Sequence, residues 1–345
     1  MEQIRKFLKN KSILVTGSCG SVGSSIIKYL LEKTECKKVV SLDNNEGELF
    51  FQRDKYKNFK NFYVSLVDIC DLQSVNKSLM GIDYVLHCAA LKNVPICEIS
   101  PSSCINVNVI GTSNIIEASI SNNVKKVIFT SSDKAVSPTN VMGASKLVAE
   151  KIITAANIET SNKFKTVFSS TRFGNVIGST GSVLPIFQNQ INNNKKLTVT
   201  SKSMTRFMMS NIKSVELVLS SLVLAKGGEI FITKMPSINV YTFAKCVYEI
   251  FTNKKSDDTN FEIIGLRQGE KMYEELMYQE ELSRSYEIKD FFIVLPNLEI
   301  YNELSKKKKF KKYKKIKKVY NSDIENQLSY EKTKSFLKKI ILDNY

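Results

Sequence analysis

The stretch SILVTGSCGSVG, residues 12–23, constrains the fold of this chain most strongly. An apolar, β-rich run ends in three glycines spaced three apart, Gly17, Gly20 and Gly23, and these open into the amphipathic segment SSIIKYLLEK. A strand that turns sharply into a helix needs glycine where the backbone reverses and where a second backbone comes close. The junction also creates a helix N-terminus, whose free amides and dipole favour a phosphate group. The alternation then repeats: strand-like runs begin at Ser12, Lys38 (KVVSLD), Asn61 (NFYVSLVD), Ile82 (IDYVLHCAA) and Lys125 (KKVIFTSS), with helix-like stretches such as residues 109–122 between them. Strands separated by crossover helices predict an α/β fold, a doubly wound parallel Rossmann sheet with right-handed connections.

A carboxylate downstream gives the glycine loop its meaning. Asp43 closes the second strand-like run, 20 residues beyond Gly23, where a carboxylate binds the adenosine ribose of a dinucleotide. Asn44, Asn45 and Glu46 come next in place of an arginine, so a ribose phosphate is repelled and NAD is favoured over NADP. Asp68, after the third run, is placed to meet the adenine. The cofactor residues expected from this pattern are Gly17, Ser18, Gly20, Ser21, Val22, Gly23, Asp43 and Asp68. After Asn175 the alternation breaks into the GSTGS turn at 178–182, the polar run QNQINNNKK and shorter elements. Residues 1–175 are therefore expected to form the NAD-binding domain with the catalytic segment. Residues 176–345 are expected to form mainly a smaller C-terminal substrate-binding lobe with a Lys-rich segment, some chain returning to the sheet.

Charge and composition exclude several classes. The net charge of +16 suggests a nucleic-acid binder until it is located: ten lysines fall between Lys306 and Lys318. In that run Phe310, Tyr313, Ile316 and Val319 recur every third position, so one stripe can pack while the lysines stay solvated. No nucleic-acid partner is expected. No apolar run approaches the roughly 20 residues of a membrane span, and no secretory leader is evident, so a cytoplasmic protein is expected. The seven cysteines are scattered without metal-ligand spacing and read as reduced thiols. The single histidine, His87, lies in an apolar strand and reads as structural, and no metal site is expected.

The segment SSDKAVSPTNVMGASK, residues 131–146, carries the chemistry. Ser132, Asp133 and Lys134 supply a hydroxyl, a carboxylate and an amine in succession, and Lys146 lies four residues beyond Met142. With AALKNVP from Ala89, TRFGNVIGSTGSVLPIF from Thr171, MTRFMMS from Met204, GGEIFITKMPS from Gly227 and LRQGEK from Leu266, the chain resembles the extended short-chain dehydrogenases/reductases. More narrowly it resembles the nucleotide-sugar 4,6-dehydratases of polysaccharide biosynthesis that act on UDP-N-acetylglucosamine, in their short form without a membrane region. In the wider class the position of Met142 holds a tyrosine that exchanges a proton with the substrate hydroxyl, which a thioether cannot do.

The resemblance implies hydride transfer from carbon 4 to NAD, elimination of water across carbons 5 and 6, and return of the hydride to carbon 6, for surface glycan biosynthesis. It makes Asp133 the acid and Lys134 the base, provided that burial raises the pKa of the carboxyl and lowers that of the amine. Ser132 or Asp133 then takes the carbon 4 hydroxyl proton, Met142 fills the former phenol space, and the resemblance adds Ala89, Ala90 and Lys146 to the cofactor-binding residues, Lys146 holding the nicotinamide ribose. Lys92, Asn175, Arg206, Arg267 and Glu270 are the expected substrate-binding residues, the arginines on the diphosphate. Family members often carry histidine at the position of Asn93, and Glu270 with Lys271 has the alternative of a structural ion pair. Related enzymes suggest a homo-oligomer. Alternatives are the same reaction on GDP-N-acetylglucosamine, a nucleotide-sugar 4-epimerase, and a non-catalytic NAD-binding scaffold.

Overall fold

The computed structural model describes residues 1–160, 166–297, 313–323, 325 and 327–342. Strands form at each of the five early runs: β1 (Ser12–Thr16), β2 (Lys38–Asp43), β3 (Phe62–Leu66), β4 (Tyr84–His87) and β5 (Lys126–Ser132). They continue with β6 (Val167–Phe173), β7 (Asn175–Val176), β8 (Leu197–Val199), β9 (Thr205–Met209), β10 (Ile230–Thr233), β11 (Ser237–Asn239), β12 (Phe261–Ile263), β13 (Ser285–Ile288), β14 (Phe291–Val294) and β15 (Lys314–Lys315).

Ten of these strands form one sheet in the order β15-β13-β14-β10-β6-β5-β4-β1-β2-β3. Pairing is parallel from β3 through β10, and β14, β13 and β15 then add antiparallel. Sequence order reverses between β1 and β4, the switch point at whose carboxyl ends α/β sheets bind ligands. Because side chains alternate across a strand, β1 splits its apolar residues between two cores. Ile13 and Val15 join the core beneath the helices Ser21–Lys33 and Asn211–Leu224, whereas Leu14 joins the one beneath Leu72–Ser78, Gly111–Ser121 and Val141–Thr160. Burial on both faces explains why the strands read as continuous apolar runs.

The sheet after β6 is drawn from residues beyond Asn175, so the main sheet and the second half of the chain are interleaved. Two small sheets, β11-β9-β7 and β12-β8, lie apart from it. A third core gathers Leu184, Phe187, Leu197, Phe243, Val247 and Phe261 with Leu337 and Ile340 of the C-terminal helix Tyr330–Leu342. Of the lysine-rich segment, residues 306–312, Phe310 among them, lie outside the described residues. Ile316 packs against the main core while Lys314 and Lys315 are exposed at the sheet edge. No helix among the described residues is long and apolar enough to cross a membrane.

Candidate functional site

The glycine loop sits at the switch point, and its three glycines answer to different neighbours. Gly17 has φ +60, and a Cβ there would lie 2.6 Å from the Ala89 backbone at the end of β4. At Gly23 a Cβ would lie 2.2 Å from the Gly17 carbonyl oxygen, so helix and loop touch without room for a side chain. Gly20, by contrast, meets only that same oxygen, at 3.2 Å. It caps the helix Ser21–Lys33 without any side-chain cap bond, which leaves amides at the first turn directed at the loop.

The other loop residues divide between structure and surface. Ser18 is fully buried, accepting a hydrogen bond of 2.7 Å from Ser41 Oγ, while Val22 packs on the core. Ser21 Oγ accepts from the amide of Thr180 at 3.0 Å, so the GSTGS turn docks onto the glycine loop. Ala89 N–H donates to Thr16 Oγ1 at 3.2 Å, and Ala90 follows it past the carboxyl end of β4, a strand inside the sheet. The Asp43 carboxylate is oriented by the amides of Cys19 (3.0 Å) and Asn45 (3.1 Å). Asp68 stands two residues past the end of β3 and accepts from Cys70 N at 2.9 Å. A cavity of about 830 Å³ lies behind this loop, lined by Cys19, Lys28, Glu48, Phe51 and Gln52 among others, and none of the proton-transfer candidates lines it.

The proton-transfer candidates meet where β5 ends in a single 3-10 turn, Asp133–Ala135. Ser132 Oγ donates to Asp133 Oδ1 at 2.8 Å, and Lys134 Nζ donates to the same oxygen at 3.0 Å. Asp133 is 1% exposed while the Lys134 side chain keeps 25%, so the amine alone of this pair reaches outward. Lys134 also lies 3.5 Å from Glu274, a buried carboxylate that sequence reasoning missed. The expected lowering of the Lys134 pKa does not occur: burial pulls it down, but Asp133 and Glu274 outweigh burial and hold it above the usual lysine range.

Lys146 behaves otherwise. Its Nζ donates to the Thr130 carbonyl at 3.0 Å and lies 4.5 Å from the Phe129 ring centre, and burial brings its pKa down to about 8. Met142, one turn earlier on the same helix, is 3% exposed among Cys97, Cys104, Leu91, Val94 and Val141. The helix is held by Asn108, a second residue missed from sequence, which lies in a π-helical turn over Asn106–Ile110. Its side chain bonds both main-chain groups of Leu91 and donates to Ser145 Oγ at 2.9 Å.

His87 is structural, as expected. Thr112 donates to the Asn108 carbonyl, so it accepts from His87 Nε2–H at 3.0 Å, and Thr16 donates to Nδ1 at 2.7 Å. Burial brings its pKa to about 3, which keeps the ring neutral. Among the described residues no cluster of three or more metal-binding side chains occurs.

The substrate-binding candidates divide. Gly269, in the loop carrying Arg267 and Glu270, accepts hydrogen bonds from Thr139 Oγ1 (2.9 Å) and Asn140 Nδ2 (3.0 Å). A Cβ on it would meet Val94 at 3.6 Å, so the segments of Lys92, Lys134 and Arg267 converge. Lys92 and Arg267 are exposed there, and Asn93 caps the helix Val94–Ile99. Asn175 Oδ1 is buried without a hydrogen-bond partner among the described residues. Arg206 departs from the expected phosphate clamp, because it is buried and its fork is taken by main-chain carbonyls of Thr205 (2.7 Å), Lys271 (2.8 Å) and Met272 (3.3 Å). The Glu270–Lys271 ion pair does not form: Glu270 accepts from Arg267 N at 3.0 Å, and Lys271 donates to the Val136 carbonyl at 2.7 Å.

Behind the site, Arg172 at the end of β6 is fully buried and bridges Glu150 (2.6 Å) of the Lys146 helix to Glu281 (2.7 Å). A wholly buried ion triad of this kind fixes relative placement more than it stabilises.

The profile of the family described as polysaccharide biosynthesis protein matches residues 13–296. A protein of Methanocaldococcus jannaschii named as an uncharacterized membrane protein is 44% identical over 342 residues, 98% of each chain. The UDP-glucose 4-epimerase of Rickettsia rickettsii is 39% identical over 288 residues, 82% of each. The X-ray structure of Pen from Bacillus thuringiensis superposes with a TM-score of 0.88 at 38% identity, covering 98% of each chain. On the family match and these long alignments, the chain belongs to the polysaccharide biosynthesis protein family.

Proposed function

We propose that this protein is an NAD-dependent nucleotide-sugar 4,6-dehydratase acting on UDP-N-acetylglucosamine. The observation that carries the reading is a buried carboxylate and a partly exposed amine 3.0 Å apart at the end of β5. Elimination of water needs a proton donor and a proton acceptor at neighbouring carbons, and this pair supplies both.

The residues at the switch point fit NAD. The uncapped first turn at Gly20 suits the pyrophosphate, the fixed Asp43 carboxylate the adenosine ribose, and Lys146 the nicotinamide ribose. NAD, when bound, supplies the hydride acceptor for carbon 4 and the donor for carbon 6. The remaining chemistry is proton transfer. Ser132, bonded to Asp133 Oδ1, relays the carbon 4 hydroxyl proton onto that carboxylate. Asp133 then delivers a proton to the departing carbon 6 hydroxyl, and Lys134, once it has released the proton it holds at rest, takes the proton from carbon 5, acidified by the adjacent ketone.

The epimerase name borne by relatives 39% identical to this chain favours a second reading, a UDP-sugar 4-epimerase. That reaction needs acid–base chemistry at carbon 4 alone and leaves Lys134 without a task. Tyr278 is a phenol at this turn, but its hydroxyl is donated to the Ala135 carbonyl. Incubation with UDP-N-acetylglucosamine and mass spectrometry of the product decide between the two. A product lighter by one water is expected, and a product of unchanged mass overturns the dehydratase reading.

A further inference from the structure

We infer that Glu274 is the proton store of Lys134, a positioning residue that receives a proton from Nζ so that the amine can act as a base. The inference rests on the dehydratase reading. Its geometric basis is the placement of two acidic groups around one amine: Asp133 Oδ1 at 3.0 Å and Glu274 Oε1 at 3.5 Å. Glu274 is 3% exposed, and its second oxygen, Oε2, is buried without a hydrogen-bond partner among the described residues. A carboxylate so placed has lost its water and gained incomplete compensation. Burial accordingly pushes the Glu274 pKa up, against the pull of Lys134 and Arg206.

The charged groups facing this pair come from three segments. Asp133 lies on the turn after β5, Arg206 on β9 with Nε 3.8 Å from Glu274, and Lys271 on the loop preceding Glu274. Because Lys134 is held protonated at rest, it cannot take a proton from carbon until it has given one up. Release to solvent would leave both carboxylates without their cation. Transfer within the pair leaves no bare charge on Glu274: one N–H bond of Nζ breaks, its electron pair stays on nitrogen, and an O–H bond forms on Glu274. A charged pair becomes a neutral one with no change in total charge.

The cycle then balances. The amine takes the carbon 5 proton, and the C–H electron pair remains on the substrate as the enolate of the carbon 4 ketone. After water has left and hydride has reached carbon 6, Lys134 returns a proton to carbon 5 and recovers its own from Glu274. Among the groups around Lys134, Glu274 suits this storage because Asp133 is occupied with the leaving hydroxyl.

The test is Glu274→Gln in the 345-residue enzyme, with folding checked by thermal melting. In the wild type the pair exchanges its proton internally, so kcat is flat between about pH 7 and about pH 9. In the variant, kcat at pH 7 falls about tenfold or more, KM stays within about twofold, and kcat climbs with pH because the proton must leave to solvent. Unchanged kcat, or an equal loss at every pH, overturns the inference. Glu274→Asp keeps the charge and retains the flat profile at reduced kcat. An alkaline-dependent profile in this variant also overturns the inference. A readout free of turnover separates failure here from failure of the dehydratase reading: NMR titration of isotope-labelled Lys134. Its midpoint drops by about one pH unit or more in Glu274→Gln. No drop removes the pairing itself, whatever reaction the enzyme performs.

Discussion

Gly17 and Gly20 stand three residues apart in one loop and are held to glycine by different forces. Gly17 combines φ +60 with the Ala89 backbone 2.6 Å from any added Cβ, whereas Gly20 has an ordinary helical-cap backbone and one oxygen at 3.2 Å. Gly17→Ala is therefore expected to destabilise the fold by at least about 2 kcal/mol, from left-handed strain and overpacking together. Gly20→Ala should cost no more than about 1 kcal/mol while weakening NAD binding, since its methyl points at the loop surface. Chemical denaturation and NAD titration of the two variants check both halves; equal loss of stability in the two would contradict this division. The glycine pattern was legible in sequence because its constraint is local. So was the Ser132–Asp133–Lys134 run, which lies on consecutive residues. Glu274 was not legible, because only the folded chain brings the YEEL segment under Lys134, and its influence reverses the expected direction of the lysine's pKa.

At the level of elements, the turn after β5 is shaped as much by what packs on it as by its own residues. Lys271 and Tyr278 bond the carbonyls of Val136 and Ala135, and Ser137 beside them adopts φ +45. These clamps come from a stretch without regular periodicity, which is why sequence pattern gave no sign of them. Arg206 shows the same limit: its motif suggested a phosphate ligand, but burial against three carbonyls gives it the task of shaping the 271–274 segment. Glu249 makes a testable case at the C-terminus. It joins the helix Val240–Thr252 to the helix Tyr330–Leu342 through Lys334 at 2.6 Å and the Tyr330 hydroxyl. Burial would raise its pKa, but these partners outweigh burial and lower it to about 2. A carboxyl depressed in the folded state contributes stability that is complete above its unfolded value, roughly 4.3, and lost as pH falls toward about 2. Hydrogen exchange in residues 330–342 should therefore accelerate across that acid window, and the Glu249→Gln variant should lack this pH dependence. An identical acid response in the variant would refute the assignment.

Across the whole molecule, the doubly wound sheet was readable because both of its faces are buried and its strands carry unbroken apolar runs. The added edge was harder to read. β14, β13 and β15 are short, antiparallel and drawn from late in the chain, and their place depends on tertiary partners such as Tyr320. That ring stacks on Phe207 at 4.5 Å, meets Phe292 at 4.9 Å, and bonds Met235 through its hydroxyl. It thereby ties the C-terminal segment to both β9 and the main sheet. This interleaving sets the 267–278 loop against the end of β5, so one half of the chain completes the proposed proton-transfer site of the other. The most direct measurement is the fate of a deuterium placed at carbon 4 of UDP-N-acetylglucosamine, read by NMR of the product. Deuterium is expected at carbon 6 of a product that has lost one water, with bound NAD unchanged after each turnover. Deuterium returned to carbon 4 in a product of unchanged composition would contradict the dehydratase mechanism.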